Sequence, residues 1–280
     1  MANMKEIKNR IKSVSSTMQI TKAMELVASS KLRRAKERAA QSAPYFEAIY
    51  TTMTDIASSN KDFSSVYTKK RDIKNSLYIV IAGDRGLAGG YNSNVLKMAV
   101  QSMENKDVSV VTIGKKSSDF FAKRDCKIVS THDGLAEDVN LAQVNSIVKR
   151  ITEMYKKFEI DEVFVVYTEF TSPLVQTPNI IKVLPIEGQE NAKSTTLTEY
   201  DPSPEDVFDL IIPKYISGIL YGAIIESFAS EQAARRVAME SASDNASDMI
   251  DDLSLLYNRA RQGAITQEIS EIVAGSGSLN

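Results

Sequence analysis

The chain has 280 residues, of which 43% are hydrophobic and 25% are charged, and its formal net charge is −2. This composition is typical of a folded globular protein and excludes an intrinsically disordered chain. The single Cys and single His exclude a disulfide within the chain and leave no convincing zinc site.

Residues 1–57 form the first predicted element, a long helix. Pro44 lies inside this segment and predicts a kink, because proline lacks the N–H that the helix needs. Steps of four and three average about 3.5 residues, the period of a left-handed coiled coil. Only Glu25 interrupts the series of apolar and small residues at these steps. The series is Ile7, Ile11, Val14, Met18, Thr21, Ala28, Leu32, Ala35 and Ala39.

Residues 76–190 have a different pattern, in which short β-branched runs alternate with amphipathic segments. This alternation predicts parallel strands with right-handed crossovers, a Rossmann-like α/β domain. The predicted strands are Leu77–Ala82, Val108–Ile113, Lys127–Ser130, Glu162–Phe170 and Ile180–Ile186. The predicted helices are Asn94–Met103, Ser117–Arg124 and Asn140–Phe158.

Residues 205–280 are predicted to form a second long helix. Its seam reads Ala242, Ala246, Met249, Leu253, Leu256, Ala260 and Gly263. Because the chain must return after the middle domain, the two long helices are expected to pair antiparallel. The predicted fold class is therefore an all-α rod, a long antiparallel left-handed coiled coil, with an α/β domain inserted between its two helices.

The loop GDRGLAGGYN, residues 83–92, follows a strand and precedes a helix, which is where phosphate-binding loops lie. Its glycines do not match G-x-G-x-x-G, and no Gly-Lys-Ser/Thr sequence follows. A tight turn with positive φ and close helix–strand packing is the favoured interpretation, with nucleotide binding as the alternative.

Charge is unevenly distributed: residues 1–38 carry ten Lys or Arg and three Glu, whereas residues 240–252 carry five acids and no base. A basic helix face can meet an acidic protein, nucleic acid or an anionic membrane, or it can simply be solvated. Nucleic acid is disfavoured because no aromatic residue lies between Met1 and Pro44. The apolar run 210–225 is too short to span a bilayer. His132 and Asp133 adjoin in a predicted loop, without a partnered nucleophile, and favour a solvated histidine over acid–base chemistry.

The last helical segment, ARQGAITQEISEIVAG at residues 260–275, carries an apolar stripe of Ile265, Ile269, Ile272 and Val273. The first helix begins at residue 1, so a hairpin partner runs out before this stripe. The stripe is expected to contact another protein, unless the end of the helix is disordered or caps itself.

Three separated motifs resemble the gamma subunit of F-type ATP synthases, and the resemblance extends over essentially the whole chain. They are SSTMQITKAMELVASSKLRRAKE, DRGLAGGYN, and EQAARRVAME together with YNRARQGAITQEISEIVAG. Ala88 departs from the family, in which many members have Cys at that position. The resemblance implies a rotating central stalk that couples ion flow through a membrane ring to ATP synthesis or hydrolysis.

The resemblance also implies partners and contact residues. The partners would be three alpha and three beta subunits, the epsilon subunit and the ring of c subunits, with no nucleic acid. The chain would be peripheral at the cytoplasmic face of a bacterial membrane, held only through its partners. It would be non-catalytic by itself, without cofactor or metal. The implied beta-subunit contacts are Lys22, Met24, Arg235, Arg261, Gln262, Thr266, Glu268 and Glu271.

Two other functions remain open from the residues alone. A free-standing coiled-coil adaptor with an α/β head would have the same helical pattern. A nucleotide-binding enzyme would use the loop at residues 83–92.

Overall fold

The computed structural model describes residues 4–59, 65–69, 71–186 and 203–277. Two long helices, α1 (Met4–Ser59) and α5 (Pro204–Gly277), flank a sheet with three further helices. The chain divides into two compact units, one of residues 1–28 with 236–280 and one of residues 29–235. The outermost predicted residues, 1–3, 187–190 and 278–280, lie outside the described part of the chain.

The first unit contains the beginning of α1 and the later part of α5. The Oγ1 of Thr21 lies 2.7 Å from the Oγ of Ser243. Ile7 is buried in the same unit, and only an antiparallel arrangement brings α5 residues of this unit beside it. A series of buried or half-buried α1 positions is separated by alternate steps of four and three: residues 7, 11, 14, 18, 21, 25 and 28. The coiled-coil prediction for this helix pair is confirmed, and the spacing is that of a left-handed supercoil.

The predicted seam of α5 is wrong at three of its positions. Ile250, Tyr257 and Ala264 face inward, where Met249, Leu256 and Gly263 were predicted. Met249 is 43% exposed and Leu256 is 50% exposed. The predicted and the observed seams share Ala246, Leu253 and Ala260. They differ only in the order of the three- and four-residue steps between these positions. Apolar residues adjoin at 249–250 and at 256–257, so only the partner helix selects between them.

The second unit contains the sheet, whose strand order is β3-β2-β1-β4-β5. The strands are β1 (Asn75–Ile81), β2 (Asp107–Ile113), β3 (Lys127–His132), β4 (Glu162–Phe170) and β5 (Gln176–Leu184). The helices between them are α2 (Tyr91–Met103), α3 (Lys115–Phe121) and α4 (Leu141–Lys156). The side chain of Asn140 caps α4 by accepting a hydrogen bond from the N–H of Ala142.

Parallel pairing holds for four strands but not for the fifth. β3, β2, β1 and β4 pair in parallel, whereas β4 and β5 pair antiparallel. Only residues 171–175 separate β4 from β5. A connection this short permits a hairpin but not the crossover helix that a parallel strand needs.

Both faces of the sheet are covered, which explains the continuous apolar run of β1. Leu77, Ile79 and Ile81 join the core formed with α4 and parts of α1 and α5. Tyr78 and Val80 face the opposite side, in the core formed with α2 and α3. Alternate residues of a strand point to opposite faces, so a strand covered on both sides must be apolar throughout.

Within the second unit, α1 and α5 are again antiparallel. The Phe46 ring contacts the Tyr221 ring with centroids 5.7 Å apart, and Tyr50 contacts Tyr215 at 6.0 Å. Helix α1 continues through Pro44. Among the described residues, α5 contains an 18-residue window with mean hydropathy 1.4, and half of that window is buried. A core helix packed against a sheet has the same length and composition as a membrane span, so this window is weak evidence for one.

Candidate functional site

The end of α5 carries an exposed apolar stripe of four residues. Ile265, at 48%, is the least exposed of the four and Ile272, at 70%, is the most exposed; Ile269 and Val273 lie between them. Their spacing of three and four residues places them on one side of the helix. A contiguous exposed apolar surface of this kind is typical of a protein-interaction site.

The register of the helix pair explains why this stripe is exposed. Met4, the first described residue of α1, lies as far before Thr21 as Ala260 lies after Ser243. Counting from the Thr21–Ser243 contact, the described part of α1 therefore ends beside Ala260. The stripe begins at Ile265, beyond the turn of α5 that lies beside the described part of α1.

The five predicted polar contact residues at this end of α5 are all exposed, but they do not share one face. At about 100° per residue, Arg261 and Glu268 border one side of the apolar stripe, and Gln262 and Thr266 border the other. Glu271 lies on the far side of the helix. The Thr266 hydroxyl donates to the carbonyl of Gln262 at 2.9 Å, so its proton is used within the helix.

Lys22 and Met24 lie on α1 in the first unit. The Nζ of Lys22 donates to the Oε2 of Glu25 at 2.9 Å. This hydrogen bond and the charge of Glu25 raise the pKa of Lys22. Met24 is half-buried. Glu25, which interrupts the predicted seam, has a side chain only 12% exposed, and its carboxylate remains paired there with Lys22.

Arg235 differs from the other predicted contact residues because it is buried, at 8% exposure. Its Nη2 donates to the Oε1 of Glu231 at 2.6 Å and to the carbonyl of Gly86 at 3.2 Å. Burial raises the pKa of Glu231, and the charge of Arg235 opposes that shift. The structure thus places Arg235 against the loop at residues 83–92.

That loop is a tight turn. Leu87 and Gly89 have positive φ, at 61° and 53°. The Asn92 side chain accepts from the Gly83 N–H at 2.8 Å and donates to the Arg85 carbonyl at 3.2 Å. These bonds close the loop on itself, as the turn interpretation predicts.

The surroundings of the loop disfavour a phosphate. A Cβ added at Gly83 would lie 2.8 Å from the Glu231 carboxyl group. The Asp84 carboxylate accepts from the N–H groups of Lys115 and Gly134. The Asp84 carboxylate repels an anion and takes up N–H donors that a phosphate would need, and the Glu231 carboxyl group fills the space beside Gly83.

A polar clamp formed by α5, namely Ser227, Ser230, Glu231 and Arg235, was missed by the sequence analysis. The Thr168 N–H donates to the Ser227 hydroxyl at 3.0 Å, and the Ser230 hydroxyl donates to the Thr168 carbonyl at 3.3 Å. The available signal was an acid and a base four residues apart in a segment of small residues, EQAAR. An acid and a base on the exposed face of a helix have the same spacing, so the sequence alone does not indicate that Glu231 and Arg235 are buried.

His132 was predicted to lie in a solvated loop, which is wrong. It is the last residue of β3, is half-buried, and its Nε2 lies 3.0 Å from the Ser130 hydroxyl. Burial lowers the pKa of His132, with a further contribution from Arg150. Within the described ranges, no group of three or more His, Cys, Asp or Glu side chains is placed to hold a metal ion.

Comparison with protein families matches residues 3–279 to the ATP synthase family. The ATP synthase gamma chain of Ruminococcus albus is 53% identical over 286 residues, covering 100% of this chain and 99% of the relative. The protein of Acetobacterium woodii named "ATP synthase gamma chain, sodium ion specific" is 42% identical, with 99% of both chains covered.

Solved structures show the same fold at low sequence identity. A chain of the Euglena gracilis mitochondrial ATP synthase, in a complex described as OSCP/F1/c-ring, has a TM-score of 0.70 and 18% identity, with 99% of this chain and 94% of that chain covered. A chain of the Tetrahymena thermophila mitochondrial enzyme, described as central stalk/c-ring, has a TM-score of 0.61 and 22% identity, with 80% and 99% covered. These structures share the fold, and the family match together with the full-length relatives above 40% identity shows that the chain belongs to the ATP synthase gamma-chain family.

Proposed function

We propose that this chain is the rotating central stalk of an F-type ATP synthase, coupling ion flow through a membrane ring to ATP synthesis or hydrolysis. The observation that carries the proposal is the end of α5, where an apolar stripe continues beyond α1 on a helix that belongs to this family. A helix end with an exposed apolar stripe is suited to turn inside a sleeve formed by other subunits. The chain is a subunit of the complex, and we propose that it performs no catalysis itself.

The proposed partners are three alpha and three beta subunits around the helices, with the epsilon subunit and the c-ring at the α/β module. In this arrangement residues 1–57 and 205–280 form the shaft and residues 76–190 form the module at its base. The complex is membrane-associated, and we propose that this chain lies at the cytoplasmic face, reaching the membrane only through its partners.

We propose beta-subunit contacts at Lys22, Met24, Arg261, Gln262, Thr266, Glu268 and Glu271. Exposure supports all of these except Met24, which is half-buried. Arg235 belongs to the same proposed set, although it is buried and its guanidinium holds the carbonyl of Gly86. Exposed ion pairs are worth about 0–1 kcal/mol each, so the load must be shared among many contacts.

Reconstitution tests the proposal. The purified chain alone is expected to show no ATPase activity, and with alpha and beta subunits it is expected to form a complex that hydrolyses ATP. Addition of the membrane sector should make this hydrolysis drive ion transport into vesicles. Failure to bind alpha and beta subunits would indicate a free-standing adaptor. Binding and turnover of nucleotide by the purified chain alone would indicate an enzyme. Either result would overturn the proposal.

A further inference from the structure

Two kinds of contact join α5 to the sheet in the second unit. Ile216, Leu220 and Ile224 are fully buried in the apolar core. Apolar contacts of this kind are strong but non-directional, so they resist separation more than sliding or rotation. The polar clamp lies further along α5, at residues 227–235. It makes hydrogen bonds, which are directional.

The clamp bonds to the backbone at two places on the carboxyl edge of the sheet. Ser227 and Ser230 hold both the N–H and the carbonyl of Thr168, in β4. Arg235 holds the carbonyl of Gly86, in the loop after β1. Because backbone groups cannot change rotamer, these bonds fix α5 in position and in rotation about its own axis.

Glu231 completes the clamp from within. It is only 4% exposed, and its carboxyl group packs on Gly83, where any side chain would displace it. Its bond to Arg235 fixes the guanidinium that reaches Gly86. Buried ion pairs add little net stability but impose one geometry.

We infer that the Glu231–Arg235 pair is a positioning device that locks the Gly83–Asn92 loop to α5, so that load on the sheet reaches α5 without slip. The inference rests on the proposed function for the load itself. On this inference, Arg235 affects the coupling of ion transport to ATP hydrolysis by holding Gly86 and the loop. That role is separate from any direct contact with a beta subunit.

The test uses the complete complex, reconstituted in vesicles with Arg235→Lys, Glu231→Gln or Gly83→Ala. Gly83→Ala displaces the Glu231 carboxyl group without altering a charge. Arg124→Lys is the matched control, because Arg124 lies on the same unit and its guanidinium stacks on Phe120 at 3.5 Å, away from the clamp. The readouts are ions transported per ATP hydrolysed and hydrogen exchange of the Gly83 and Tyr91 amides, which are hydrogen-bonded at the two ends of the loop.

The expected result is a fall of at least about twofold in ions transported per ATP for all three clamp variants, with faster exchange of the Gly83 and Tyr91 amides, while each complex still assembles and hydrolyses ATP. Arg124→Lys should change none of these. A direct contact of Arg235 with a beta subunit, without a role for the loop, predicts instead that the ratio falls while exchange of the Gly83 and Tyr91 amides stays unchanged. That result, or unchanged transport in all three variants, would overturn the inference. Failure of the proposed function is separate, because then the wild-type chain itself would not assemble or transport ions.

Discussion

The hydroxyls of Thr21 and Ser243 lie 2.7 Å apart in the buried seam between α1 and α5. Each hydroxyl can also donate to its own helix, Thr21 to the Met18 carbonyl and Ser243 to the Met239 carbonyl. One of them therefore donates across the seam while the other donates backward along its helix. A polar pair of this kind specifies which turn of one helix faces which turn of the other.

Thr21→Val removes the cross-seam bond and is expected to lower the free energy of unfolding by about 1 kcal/mol, the usual net value of one hydrogen bond. The double variant Thr21→Val/Ser243→Ala should lose less free energy of unfolding than the sum of the two single variants. In each single variant one buried hydroxyl is left without its partner, whereas the double variant contains neither hydroxyl. Urea unfolding followed by circular dichroism measures both. Thr17→Val, at an exposed position of the same helix, is the control. Additive costs in the double variant would show that the two hydroxyls are not coupled.

Gly218→Ala is expected to destabilise the second unit by about 1–3 kcal/mol, as overpacking does. An added Cβ at Gly218 would overlap the ring of Phe46 on α1. Gly222→Ala, one turn along α5, meets nothing within 4 Å and should be neutral or stabilising by up to about 1 kcal/mol. Thermal unfolding of the two variants side by side gives the comparison. Equal melting temperatures would mean that the two helices separate enough to admit the methyl group.

Glu226→Gln is expected to raise the melting temperature at pH 7. Burial, and secondarily the charge of Glu169, raises the pKa of Glu226 above the usual 4.5. The folded state therefore binds this proton more tightly than the unfolded state, and that stabilisation is present below about pH 4.5 and is lost as pH rises through the folded pKa. The advantage of the glutamine variant should shrink as pH falls toward 4. Glu47→Gln, at an exposed glutamate of α1, is the control, and an advantage for Glu226→Gln that stays constant with pH would contradict the assignment.

Arg261→Ala is expected to weaken coupling in the assembled complex without unfolding the chain. Arg261 is exposed, so its removal costs the fold almost nothing, and one exposed contact carries about 0–1 kcal/mol. The ratio of ion transport to ATP hydrolysis should fall by less than about fivefold. Arg259→Ala, exposed on another face of the helix, should leave the ratio unchanged. A loss of helical circular dichroism in Arg261→Ala would show that the residue supports the fold instead.

Much of the fold could be predicted from the sequence because the signals are local. The 4-3 spacing of α1 correctly predicted positions between Ile7 and Ala39 that are buried or half-buried. The fully apolar β1 predicted a strand covered on both faces. The apolar stripe after Ala264 was predicted from its spacing of three and four residues, and the structure leaves all four of its residues exposed. The resemblance supplied the contact residues, and these stay a prediction.

Tertiary structure decided the features for which the sequence offers two equal choices. Met249 and Ile250 are both apolar, and the partner helix selected Ile250 because one side of a helix can face only one neighbour. The antiparallel direction of β5 followed from the short connection after β4. The resemblance implied that Arg235 contacts a beta subunit, and only the structure shows that it is buried against Glu231 and the Gly86 carbonyl. Periodicity along one chain determines which residues can be buried together, whereas only packing between distant segments determines which of them are.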